Sequence, residues 1–317
     1  MALTNNSTKE VLQQASIARS VSKFAVMVLM SFVFIYINNV MFITLWSKPV
    51  LRETSRYILF AHMLCNDSIQ LLFSSIIGFI SFCCRPAKAV CSILILVTDS
   101  TSRITPLNLA VMSLERYVAI CFPLRHSEFA AVKNTYVAIA ALWFFGLVNP
   151  VVDSLYTSVT DPDFFTGKVL CGTDFMFITS PWQELLYQAL NGFYYVVAIL
   201  VIIYSYVCVM IVARSVSSDA NSARKAHRTL LLHLIQLLLS LNTLLFGNII
   251  DFLVQTLSYE VRFDVRYSIF LLVVLLPRCL SPLIYGLRDD TLRHLFLHRF
   301  KCGLCRAKMS VHVTSLY

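Results

Sequence analysis

The chain has 317 residues, 58% hydrophobic and 14% charged, where soluble domains carry about 25% charged residues. Together with a mean hydropathy of +0.73, this excludes a soluble globule, a disordered chain, a coiled coil and a collagen. The net charge of +9 leaves three readings open: a nucleic-acid surface, a surface for anionic lipid, or a sorted membrane topology.

Seven apolar runs approach or exceed the roughly 20 helical residues that a 30 Å hydrocarbon core demands. They fall near 24–46, 57–82, 90–122, 133–155, 185–212, 229–253 and 267–287. The fold expected is all-α: a seven-transmembrane helix bundle over 24–287, an amino-terminal tail over 1–23 and a carboxyl-terminal segment over 288–317. The first twenty residues lack the apolar core of a cleavable signal, so insertion is expected to begin with the first run.

The third run is interrupted by Asp99, Arg103 and Pro106, and the sixth carries His233, Gln236, Asn242, Asn248 and Asp251. Polar groups within membrane helices normally face the bundle interior. Pro106 lacks a backbone donor, so a kink is predicted near the carbonyl of Ser102. After the seventh run, residues 290–300 set Leu292, Leu295, Phe296 and Leu297 against Arg293, His294, His298 and Arg299. This pattern predicts a short amphipathic eighth helix on the membrane surface.

Sorting Lys and Arg by loop, with the amino terminus outside, puts 16 on the inner face and 8 on the outer. That excess predicts an extracellular amino terminus and a cytoplasmic carboxyl terminus. Eight acidic residues, Asp153 among them, balance the outer face, so the +9 becomes a topology signal and the nucleic-acid reading falls away. Glycosylation sequons at Asn5 and Asn6 suit an outer tail, and Asn66-Asp67-Ser68 also matches but lies in the membrane.

Most of the ten cysteines are expected as buried free thiols, Cys65, Cys121, Cys208 and Cys279 among them. Cys91 and Cys171 both fall on the oxidising side of this topology. A bridge tying the second outer loop to the third helix is expected there. The acidic stretch Asp161-Pro162-Asp163 in that loop reads as a solvated turn. Cys302 and Cys305 have a zinc-like or redox-like spacing, but with a single such pair in a basic juxtamembrane segment, palmitoylation is the preferred reading.

Cys91 and Arg116 are 25 residues apart, about 37 Å along a helix, so one sits at each membrane surface. Around Arg116 the chain reads MSLERYVAICFPLRH. Glu115-Arg116-Tyr117 resembles the D/E-R-Y motif of rhodopsin-like (class A) G-protein-coupled receptors. The longer string resembles the MAYDRYVAICxPLxY signature of odorant (olfactory) receptors, and its LRH ending suggests the fish-type group. Asn39, Asp67, Trp143 and Ser205-Tyr206 match further positions, KAHRTLLLHL (225–234) resembles KAxxTCxxHL, and SPLIY (281–285) resembles NPxxY. The departures are Ser281 for Asn, Asn38-Asn39 for Gly-Asn, and Leu241-Asn242 where many non-olfactory relatives carry Trp-x-Pro. Cys171 also stands in place of the several loop cysteines of mammalian odorant receptors.

The resemblance implies a coupling switch at the inner face made of Glu115, Arg116 and Tyr117, with Tyr206 and Tyr285 as partners. It implies a small-molecule odorant as ligand and a heterotrimeric G protein of the stimulatory olfactory type as partner, at the plasma membrane and among membrane lipid. Asp99 and Arg103, one helical turn apart, form either an intrahelical ion pair or part of a ligand pocket with Thr98, Ser102, Tyr194, Asn248 and Asp251. A second polar network is expected from Asn39, Asp67, Arg278 and Ser281. In it the Arg278 guanidinium takes the place of the sodium ion of many relatives, or turns to backbone carbonyls.

No nucleophile–base–orienter set, phosphate loop or HExxH occurs, so no enzyme, cofactor or metal site is expected. Alternative functions are a non-olfactory chemosensory receptor and a seven-helix transporter or channel, the latter without the internal repeats typical of transporters. Homodimer formation is left open.

Overall fold

A computed structural model describes residues 2–172 and 181–216, together with scattered later positions that include 270–276 and Arg278. The side chains of residues 2–17 lie outside this description. Five long helices are described: α1 (Ala2–Trp46), α2 (Ser55–Cys83), α3 (Lys88–Cys121), α4 (Val132–Thr160) and α5 (Pro181–Val216). Each contains a segment long and apolar enough to cross a membrane. The sixth run lies outside the described residues. Of the seventh, Phe270–Leu275 form one turn of π-helix.

The elements follow the expected runs, with extended ends. α1 starts at Ala2 instead of near residue 24, because no proline or glycine interrupts the chain before Pro49. α4 runs to Thr160, five residues past the expected end. α3 passes through Pro106 as one continuous helix.

α3 is the centre of the bundle, packing along α2, α4 and α5, while α1 packs on α2. Half of its membrane segment is buried, against 22% of that of α1. The buried positions of α4 are Thr135, Leu142, Gly146, Asn149, Pro150, Asp153 and Thr157, a stripe with three- and four-residue steps that faces α3. Gly146 sets the closeness of that contact: a methyl group there would stand 2.7 Å from Ile104 Cγ1 and 3.3 Å from the Ser100 carbonyl oxygen.

In the inner half, Met63, Leu64, Leu109, Met112 and Ile202 form the main apolar core, which Phe296 joins from beyond the seventh run. Phe32, Phe79, Phe144, Leu155 and Leu200 point outward, as lipid-facing side chains do. Cys65, Cys121 and Cys208 are free thiols but only partly buried. This corrects the expectation of buried thiols, since each keeps part of its surface accessible at the edge of the helix packing. Cys279 lies outside the described residues.

The second outer loop folds onto the start of α3. Cys91 and Cys171 form a disulfide with Cα atoms 5.4 Å apart. The backbone amides of Lys88 and Ala89, otherwise unpaired in the first turn, donate to the carbonyls of Gly167 and Phe164 at 2.9 and 3.0 Å. Lys88 Nζ donates to Asp161 Oδ2 at 2.5 Å, and this bond holds the Asp161 carboxyl below the usual carboxylate range. The expected solvated turn is present in part, since the Asp163 amide donates to Asp161 Oδ1, but Asp161 also latches the loop to α3.

Candidate functional site

The polar residues of the membrane interior gather at three levels along α3. At the outer level Arg103 is 4% exposed. Its Nε donates to Asn191 Oδ1 of α5 at 2.7 Å, and its guanidinium lies 5.0 Å from the centre of the Tyr187 ring. Nη2 stands 4.0 Å from Asp99 Oδ2, the outer limit of an ion pair. Both sequence readings of Asp99 and Arg103 are therefore partly realised: the pair exists, but the stronger bond of Arg103 crosses to α5.

Asp153, 5% exposed, comes from α4 into electrostatic range of both Arg103 and Asp99. The sequence analysis had assigned it to the outer face. It lies seven residues after Gly146 on the buried stripe, and α4 extends beyond it, so one negative charge moves from the outer face to the interior. Tyr194 is buried and donates to the Phe145 carbonyl at 3.2 Å. Thr98 donates to carbonyls of its own helix, whereas Ser102 is half-buried. Asn248 and Asp251 lie outside the described residues.

At the middle level Asp67 is fully buried. Arg278 Nη1 donates to Asp67 Oδ1 and to Thr105 Oγ1, both at 2.7 Å. Asn66 Nδ2 donates to the Thr101 carbonyl at 2.9 Å and to Thr105 Oγ1 at 3.1 Å, and Thr101 donates to Gln70. A guanidinium here satisfies a carboxylate that would be costly to bury alone.

Asn39 does not belong to this level. It is exposed, and its neighbour Asn38 is the buried one, 1% exposed. Adjacent helical residues point about 100° apart, so the correction of one position turns the amide from lipid to bundle. Ser281 lies outside the described residues.

Trp143 adds a bridge between α4 and α2. Its indole Nε1 donates to His62 Nε2 at 3.0 Å, and His62 Nδ1 stands 3.2 Å from Asn108 Oδ1 of α3.

At the inner level Glu115 Oε2 faces Arg116 Nε at 3.6 Å. Glu115 Oε1 also faces His126 Nε2 at 3.3 Å and accepts from Ser55 Oγ at 3.4 Å. The hydroxyl of Tyr117 is 3.5 Å from that of Tyr204 on α5. Tyr206 is half-buried, and Tyr285 lies outside the described residues, as do Cys302, Cys305 and the side chains of Asn5 and Asn6.

Sequence reasoning missed Asn191, Tyr187, Asp153, His62 and His126 as partners. Only Asp153 carried a signal, the heptad step from Gly146. The others meet across helices, at sequence separations that no local pattern encodes. Among the described residues no cluster of His, Cys, Asp and Glu is arranged to hold a metal ion.

Comparison with known proteins gives this geometry its context. Residues 37–285 match the family described as 7 transmembrane receptor (rhodopsin family). The zebrafish (Danio rerio) protein named Odorant receptor 131-2 is 31% identical over 288 residues, covering 86% of this chain and 84% of that protein. The mouse (Mus musculus) Olfactory receptor 5AR1 is 30% identical over 59% of this chain and 60% of its own length. For the human (Homo sapiens) Olfactory receptor 6C6 the values are 29%, 63% and 63%. The match runs from the first helix through the seventh. The chain therefore belongs to the rhodopsin family of seven-transmembrane receptors, among its odorant receptors, and is a multi-pass membrane receptor and not an enzyme.

Proposed function

We propose that this receptor binds a small waterborne odorant in the outer half of the bundle and activates a heterotrimeric G protein of the stimulatory olfactory type at the inner face. Asp99, Arg103 and Tyr194, with Asn248 and Asp251 of the sixth run, line the ligand site. Glu115, Arg116 and Tyr117, with Tyr206 and Tyr285, form the coupling switch. The amino terminus is outside, glycosylated at Asn5 and Asn6. The carboxyl-terminal segment is inside, anchored in lipid by its surface helix and by palmitoylated Cys302 and Cys305.

One observation carries this reading: α3 and α5 are joined at two levels, through Arg103 and Asn191 nearer the outside and Tyr117 and Tyr204 nearer the inside. The two links are 14 residues apart along α3, about 21 Å. A ligand that alters the outer link biases how α5 packs at the inner one. A few kcal/mol of difference between two such packings is enough for a switch.

The test is nucleotide exchange on a purified G protein by receptor in lipid discs, with and without odorants. Ligand-stimulated exchange supports the reading. Ligand flux across vesicles without exchange would replace it with a transporter or channel.

A further inference from the structure

α2 ends in two adjacent cysteines. Cys83 is its last helical residue, and Cys84, in extended backbone with its amide donating to the Ile80 carbonyl at 2.9 Å, starts the link to α3. Both side chains are exposed and both thiols are free. The link leads directly to the bridged loop, since Ala87 pairs with Lys168 and Cys91 is bonded to Cys171. A disulfide forms where the compartment is oxidising. Cys83 and Cys84 therefore present thiols to solvent on the face of the bundle where thiols are oxidised.

Among the described residues, no cysteine of the same chain suits them. Adjacent Cα atoms lie about 3.8 Å apart, short of the roughly 4.4–6.8 Å of an ordinary bridge. Cys91 and Cys171 are already joined. Cys65 is 18 residues back along α2, about 27 Å. Cys121 ends α3 at the opposite face, and Cys208 lies four residues past Tyr204, at the inner link between α3 and α5.

A second copy of the chain supplies what is missing. Copies that share a membrane and a topology hold this end of α2 at one depth, so their thiols stand level. Leu72, Phe79 and Cys83 follow one another by seven and four residues, and all three are exposed. That stripe places Cys83 on the lipid-facing perimeter of the bundle and not over its mouth. Two such perimeters meeting about a two-fold axis normal to the membrane bring equivalent cysteines together.

We propose that the receptor is a covalent dimer in which Cys83 and Cys84 of one copy are bridged to Cys83 and Cys84 of a second. Each bridge forms by exchange with a small disulfide of the oxidised glutathione class. One copy's thiol loses its proton, bonds to one sulfur of the small disulfide and releases the other half as a thiol; the second copy's thiol then displaces the remaining half in the same way. Two protein thiols and one small disulfide become one protein disulfide and two small thiols. Two bridges leave none of the four cysteines free.

The experiment uses cells that express the chain with two different epitope tags. N-ethylmaleimide added before lysis blocks later exchange, and the receptor is run without reductant. The expected band has twice the 36.0 kDa mass of the chain, carries both tags and collapses to the single-chain mass with dithiothreitol. Cys83→Ser and Cys84→Ser together remove the band, whereas each change alone leaves one bridge and keeps it. Cys302→Ser with Cys305→Ser keeps it as well. Surface labelling checks that the first double variant folds. Mass spectrometry of the digested wild-type band identifies the joined peptides and needs no variant. A single-chain band without reductant, a dimer band that survives the Cys83 and Cys84 double variant, or joined peptides that contain neither cysteine overturns the proposal.

Discussion

Trp143 Nε1 donates to His62 Nε2 at 3.0 Å, and His62 in turn reaches Asn108 Oδ1 at 3.2 Å, so one imidazole ties α4, α2 and α3 together. An indole nitrogen only donates. His62 Nε2 must therefore accept, which fixes the neutral tautomer with its proton on Nδ1, donating to Asn108. Trp143→Phe leaves Nε2 without its donor and is expected to cost about 1–3 kcal/mol. Thermal unfolding of purified receptor should show a lower midpoint. An unchanged midpoint would mean that the edge-to-face ring contact alone, with centroids 6.2 Å apart, holds the helices.

Arg278 and Asp67 form a buried pair that should not be broken from one side. Arg278→Met leaves a fully buried carboxylate with its guanidinium gone, and about 3–5 kcal/mol of stability is expected to go with it. The double variant Asp67→Asn, Arg278→Met should recover much of that loss, because neither charge then remains. The same pair predicts that sodium has little effect on ligand affinity. A sodium effect abolished by Asp67→Asn would show that the ion and the guanidinium share the site.

Glu115 at the inner face is held by Arg116, His126 and Ser55 together. His126 comes from the loop that follows α3, so it is a second hand on the switch beside Arg116. His126→Ala removes one restraint and is expected to raise ligand-free nucleotide exchange severalfold, with expression at the surface unchanged. If ligand-free exchange stays at its original level, the His126 contact restrains nothing.

The outer loop offers a pH test. The Asp161 carboxyl is held below its ordinary range by Lys88, so its contribution is present above the unfolded carboxylate range and is lost as pH falls through the lowered folded value. Acidification to that point should loosen the loop without unfolding the bundle. Hydrogen exchange at the Lys88 and Ala89 amides would report it, and Asp161→Asn should remove the pH dependence. The Cys91–Cys171 bridge should keep the loop attached throughout, and its reduction is expected to lower stability by about 2–4 kcal/mol.

Composition and run length made the helical membrane fold legible. The five described spans lie where the hydrophobic pattern put them. Their ends were less readable, as α1 and α4 show, because helix termini depend on the absence of breakers and on what the loops do. The family motif was readable because Glu115-Arg116-Tyr117 sits in one continuous string. The partners of Arg103 were not, since Asn191 lies 88 residues away and Asp153 50 away, and only packing brings them together. Asn38 and Asn39 show the finest limit: two adjacent asparagines are equal in sequence, and the helical phase alone decides which faces inward.

Gly146 touches none of the charged groups, yet it governs how near Asp153 approaches Arg103. Any side chain there meets Ile104 at 2.7 Å and the Ser100 carbonyl oxygen at 3.3 Å, so Ile104 repacks or α4 retreats to make room. The acid would withdraw with it, and the balance of charge around the proposed ligand site would change although every residue assigned to that site stayed the same. Substitution at this single position is thus a route by which natural selection could shift the odour range of a lineage while the pocket sequence stayed intact.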